Sequence, residues 1–113
     1  MHRRVDFETA VRHGRRGASR RVVVHLAHGA GGAPAEPTRV GFVVSRAVGG
    51  AVERNLVKRR LRALVARRLA DLPHGALVVV RALPPALGSR SEELGSDLAA
   101  ALRGATRSRR GSE

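Results

Sequence analysis

The chain has no cysteine, no tryptophan and no tyrosine, one methionine, and only two phenylalanines, Phe7 and Phe42. Without cysteine there can be no disulfide framework, thiolate zinc site or cysteine nucleophile, and a cytoplasmic location is the natural expectation. Long apolar runs are missing as well. The longest, such as Ala76 to Val80, fall far short of the ~20 residues that cross a bilayer, and no early apolar stretch resembles a signal peptide. A soluble protein with no membrane partner is expected. Acids are few: 9 Asp and Glu against 22 Lys and Arg, for a formal charge of +13 over 113 residues. That length suits one domain.

What is present is arginine. Lys58 is the sole lysine, so nearly all the positive charge sits on planar guanidinium forks, which grip phosphate bidentately. The expected partner is a polyphosphate. The 42% of apolar residues suffice for a modest core of Ala, Val and Leu. Cations concentrate before residue 69, and their self-repulsion opposes folding unless a counter-charge lies nearby.

Periodicity and breakers organise the chain as helix, strand, strand, helix, strand, helix. Val5 to His13 reads as a short helix with Asp6 and Glu8 in its first turn and Gly14 as its stop. Arg15 to Ser19 reads as a basic connector, Arg20 to Ala27 as a β-branched strand, and His28 to Thr38 as a Gly/Ala/Pro loop. Arg39 to Arg46 is a second strand, turning at Gly49-Gly50 into a long helix from Ala51 to about Asp71. Gly49-Gly50 suits either a tight turn or a phosphate at the helix N-terminus. Ala76 to Ala82 is a buried strand parallel to its neighbour across the long helix. Ser89 and Glu92 have capping-box spacing, and Leu94, Leu98 and Leu102 predict a last helix to about Arg103. Residues 1–106 would be the domain and 107–113 a flexible basic tail.

The long helix carries the chemistry. At about 100° per residue, Val57, Leu61, Leu64, Val65 and Leu72 share one arc. Asn55, Lys58, Arg59 and Arg62 form a continuous stripe beside it, and Arg54 lies near the apolar arc at the first turn. Such a face is most often simply solvated, but solvated faces mix signs. Between Arg46 and Arg68 there are eight cations and one anion, Glu53.

The stretch VGFVVSRAVGGAVERNLVKRRLR, Val40 to Arg62, resembles the protein subunit of bacterial ribonuclease P, whose motif falls here on Arg54, Asn55, Lys58, Arg59, Leu61 and Arg62. Asp6-Phe7 with Gly14, the lead-in Gly41, Ser45, Val48, Gly49, Ala51 and Val52, and the Leu-Val-Val-Val-Arg series ending at Arg81 also fit. The sequence begins five residues before Asp6, where that family usually has a longer basic arm, so either the arm is shortened or the start codon is assigned too late. The resemblance implies an α+β sandwich with one four-stranded sheet and three helices in the order αβββαβα. It also implies a left-handed βαβ crossover, against the right-handed default. The implied role is cofactor to a catalytic RNA, in about 1:1 ratio, that cleaves the 5′ leader from precursor tRNA with Mg²⁺ held through the RNA. No catalytic residue is expected in the protein, and no small-molecule cofactor.

RNA contacts would fall on Arg46, Arg54, Asn55, Lys58, Arg59 and Arg62, and the 5′-leader cleft on Phe7, Val11 and His25. Phe7 could equally anchor the core. Val11 and His25 stand where relatives often carry aromatics, so stacking is expected to be weaker. His25 and His28, three apart on a strand, point to opposite faces, which argues against a metal pair. The few acids likewise argue against a protein-borne hydrolase. A ribosomal-type RNA-binding protein is the alternative. A DNA-binding regulator is disfavoured by the lack of a helix-turn-helix pair.

Overall fold

The computed structural model describes residues 15–27, 38–72 and 75–111. Its strands are β1 (Arg15–Ala18), β2 (Val22–Ala27), β3 (Arg39–Val44) and β4 (Leu77–Ala82), and its helices are α1 (Ala51–Ala66) and α2 (Ser91–Gly111). Single 3₁₀ turns occupy Leu69–Asp71 and Pro84–Ala86. The strands form one mixed sheet in the order β1-β2-β4-β3. β2 is antiparallel to both β1 and β4, while β3 and β4 are parallel. Parallel neighbours need a crossover, and α1 provides it, as the sequence pattern suggests. The helix read at Val5 to His13 lies outside the described residues, as do Phe7, Val11 and His28.

Strand alternation assigns the sheet two faces. Val22, Val24 and Leu26 of β2 and Val78, Val80 and Ala82 of β4 join Val40, Phe42 and Val44 of β3 on the first face. Against it pack Val57, Leu61 and Val65 of α1 and Leu94, Leu98, Ala101, Leu102 and Ala105 of α2. Each fully buried Val or Leu there contributes roughly 1.5–3 kcal/mol of transfer free energy. Ala27, Leu77 and Val79 form a second buried cluster with Val43 beside it, and the pairing register puts His25 on this same second face. β3, at the sheet edge, is only partly buried, so Phe42 is a core residue half-exposed at its rim.

Three sequence readings change. Arg15–Ala18 is an edge strand rather than a connector, and charged side chains are a common way to protect such an edge. Its signal is Gly17, not apolar alternation. A Cβ there would run into the Ala101 carbonyl and the Ala105 amide, and one on Gly104 would sit 3.1 Å from the Gly17 Cα. Two glycines therefore let α2 lie directly on the β1 backbone.

The long helix ends at Ala66, where the Arg68 N–H donates to the Val65 carbonyl at 2.8 Å and tightens the last turn. Leu72 is nonetheless buried. Finally, the cap of α2 is displaced by one residue. The Ser89 hydroxyl donates to the Ala86 carbonyl at 2.7 Å, closing the Pro84–Ala86 turn, and the Arg90 N–H donates to Glu93 Oε1 at 2.9 Å. Gly88, at φ 79°, makes the left-handed turn between them. α2 continues to Gly111, beyond the Arg103 end suggested by its leucines.

Candidate nucleic-acid interface

α1 begins where the Gly50 N–H donates to Glu53 Oε1 at 2.6 Å. A carboxylate thus already sits at the positive end of this helix, which favours the tight-turn reading of Gly49-Gly50. It also commits the single acid of the Arg46–Arg68 segment to capping. With Val57, Leu61 and Val65 buried, the helix is rotationally fixed, and Asn55, Arg59 and Arg62 are exposed with Lys58 half-buried beside the core. From Asn55 to Arg62 the row extends about 10 Å along the axis.

Arg54 is half-buried, and its Nε lies buried without a hydrogen-bond partner. Arg46 is exposed in the turn after β3, where its carbonyl accepts from the Gly49 N–H at 3.2 Å. The six residues proposed from sequence to contact RNA thus lie on α1 or in the turn leading into it, with Arg54 on the buried side of the helix rather than in the stripe.

None of the six is in an ion pair with a described residue. The ion pairs found join Arg21 to Asp97 at 3.0 Å and to Glu93 at 3.7 Å. Lys58 and Arg62, four apart, repel each other by a few tenths of a kcal/mol. The row therefore costs the free protein a little stability, and an anionic partner would relieve that cost.

His25, on the second face, is 6% exposed, and neither ring nitrogen has a hydrogen-bond partner. Burial, then the nearby charges of Arg16 and Arg81, hold its pKa below the ordinary histidine value. Arg16 is paired across the strands with His25, and Arg81 with Val23, so both arginines flank it on the same face. Sequence reasoning missed these two. The signal was available in the period-2 alternation of strands, which puts Arg81 on the side of Val79. Among the described residues no group of three or more His, Asp or Glu side chains could hold a metal, and no helix is long and apolar enough to cross a membrane.

A four-stranded mixed sheet with a helix crossing between its parallel strands defines a class of small α+β domain, and solved structures share that fold. The RNase P protein of Staphylococcus aureus superposes with a TM-score of 0.79 at 24% identity, covering 91% of each chain. That of Thermotoga maritima does so with a TM-score of 0.73 at 24% identity, covering 87% of this chain and 89% of the other.

Sequence relatives are much nearer. The ribonuclease P protein component of Streptomyces bikiniensis is 59% identical over 107 residues, covering 90% of this chain and 87% of the relative. The Beutenbergia cavernae protein is 54% identical over 102 residues, covering 90% and 83%. The family profile described as Ribonuclease P matches residues 1–106. The chain belongs to the ribonuclease P protein family.

Proposed function

We propose that this chain works as the protein component of ribonuclease P in the cytoplasm, pairing about 1:1 with a catalytic RNA that removes the 5′ leader of precursor tRNA. The observation that carries this reading is the row on α1, charged, exposed but for the half-buried Lys58, and without ion pairs among the described residues. Arg59 and Arg62 would neutralise phosphates of the RNA subunit bidentately, with Lys58 as a point charge and Asn55 as a two-way hydrogen-bonding amide. Arg46 and Arg54 would extend the contact at the helix start. His25, with Phe7 and Val11, would take the single-stranded leader.

Mg²⁺ is a hard cation that takes oxygen ligands. A row of guanidinium and ammonium groups does not fit it, so we assign the metal and the cleavage step to the RNA. The protein's share is affinity and positioning.

Reconstitution tests the reading. Added to the RNA subunit and precursor tRNA, the chain should lower the Mg²⁺ concentration needed for leader removal. Binding to RNA without any such enhancement would instead make it a structural RNA-binding protein of the ribosomal type.

A further inference from the structure

A trough runs between α1 and the first turns of α2, on the flank of α1 away from Lys58. It comprises two adjoining depressions of about 530 and 330 Å³ that share Leu64, Arg67 and Ser91. The floor is Leu56 and Leu64, and it stays open because Gly95 has no side chain; a Cβ there would lie 3.1 Å from Leu64. Among the described residues Arg59, Arg60, Arg67 and Arg68 line it, against a single carboxylate, Glu92. The neighbouring acids Glu93 and Asp97 are engaged by Arg21. Arg60 is held in place by donating to the Ser89 carbonyl at 2.8 Å. Arg59, Arg67 and Arg68 have no ion pair among the described residues.

We propose that this trough is a second contact surface for the RNA subunit, so that α1 is wedged between two segments of folded RNA instead of lying on one. The inference rests on the RNA-binding reading above. Charge complementarity sets the class of occupant: net positive walls over a narrow apolar floor suit a phosphodiester backbone. Its volume, in the range of ordinary ligand clefts, exceeds what a lone ion needs.

Geometry selects the source. Cations span about 200° of the α1 surface, from Lys58 through Arg59 to Arg60. Arg59 belongs to both the stripe and the trough, making the two continuous. α1 and α2 pack on the first face of the sheet, whereas His25, assigned to the leader, lies on the second. A single strand seated at His25 would have to pass around the sheet to reach the trough. A folded RNA already held by the stripe would not.

The experiment measures affinity of the full chain for the RNA subunit alone across a salt series. Three variants are compared: Arg67→Gln with Arg68→Gln, the same pair changed to Lys, and Arg62→Gln. Each lost phosphate contact should reduce the slope of log K against log salt by about 0.7–0.9. The glutamine pair should therefore lose about 1.4–1.8, Arg62→Gln about half that, and the lysine pair close to nothing. An unchanged slope for the glutamine pair beside a reduced one for Arg62→Gln would overturn the trough and leave the RNA-binding reading standing. Unchanged slopes in both would remove both. A pair that binds the RNA subunit normally but loses leader-dependent affinity for precursor tRNA would also overturn the assignment, because the occupant would be substrate. Thermal unfolding of each variant separates a folding defect from lost contact. Loss of slope in the lysine pair with an unaltered melt would likewise count against a charge-based surface.

Discussion

The two described helices pack on the same sheet face and use their charges in opposite ways. α2 buries Leu94, Leu98, Ala101, Leu102 and Ala105, and two of its acids engage Arg21, with Asp97 Oδ2 accepting from both the Arg21 backbone N–H at 3.1 Å and its guanidinium at 3.0 Å. α1 buries Val57, Leu61 and Val65, and its one acid caps its own N-terminus. Its stripe cations find no ion-pair partner among the described residues. Two acids of α2 are engaged within the molecule, whereas the stripe cations of α1 are left for something outside it. Substitutions in α2 or its contacts should therefore affect folding, and substitutions on the α1 surface should affect binding.

The largest expected effect is at the close approach of α2 to β1. Gly17→Ala places a methyl group against the backbone of Ala101 and Ala105, which cannot move without shifting the helix. Overpacking usually costs 1–3 kcal/mol, and the rigid neighbours put this case at about 3 kcal/mol or more. Urea denaturation of Gly17→Ala beside the parent chain would measure it. A loss under about 1 kcal/mol would show that the helix is free to lift.

Next comes the acid clasp. Asp97→Ala removes two hydrogen bonds from a partly buried carboxylate and leaves the Arg21 guanidinium, whose Nε is already buried without a partner, only the longer Glu93 contact at 3.7 Å. Hydrogen bonds to charged groups contribute about 1.5–3 kcal/mol, so a loss of about 2 kcal/mol is expected, with RNA affinity at low salt little changed. Reduced affinity with intact stability would mean the contrast between the helices is drawn in the wrong place.

The reverse pattern is expected on α1. Arg62→Ala should leave stability within about 0.5 kcal/mol of the parent, with a slight gain from relieved repulsion by Lys58. Affinity for the RNA subunit should fall, and its salt dependence should flatten by about 0.7–0.9 in slope. Titrations at several salt concentrations, paired with denaturation curves, would place each substitution on one side of the comparison or the other.

What the sequence made legible follows the same division. The arc of Val57, Leu61 and Val65 and the stripe beside it could be read because helical periodicity is local, and the valine runs of β2 and β4 declared buried strands by composition alone. β1 could not be read that way. Arg15–Ala18 has no apolar pattern, and it is held in place by pairing with β2 and by a close glycine contact with residues more than eighty positions later. The α2 cap was ambiguous for a similar reason. Ser89 with Glu92 and Arg90 with Glu93 have the same spacing, and only the Pro84–Ala86 turn, by engaging the Ser89 hydroxyl, decides between them. The trough was invisible because Leu64 and Gly95 meet only in three dimensions, and spacing along α1 placed Arg60, Arg67 and Arg68 outside the stripe.

The smallest effect lies on the second sheet face. Burial and two flanking arginines keep the pKa of His25 below its unfolded value, so over the interval between the two the unfolded chain binds more protons than the folded one. Stability from this residue is complete above the unfolded pKa, near 6.5, and declines as pH falls toward the folded value, below which it levels off. Carboxylates contribute their own acid dependence, so the informative quantity is a difference. The His25→Gln chain should lose less stability than the parent between pH 7.5 and pH 5, by denaturation at matched salt. An anion bound between Arg16 and Arg81 would offset those charges and raise the pKa of His25, so added precursor tRNA should shift its imidazole titration upward if the leader occupies this face. An imidazole titration unmoved by leader-bearing RNA, in a chain whose α1 contacts are intact, would detach His25 from the leader and leave it a buried neutral residue of the core.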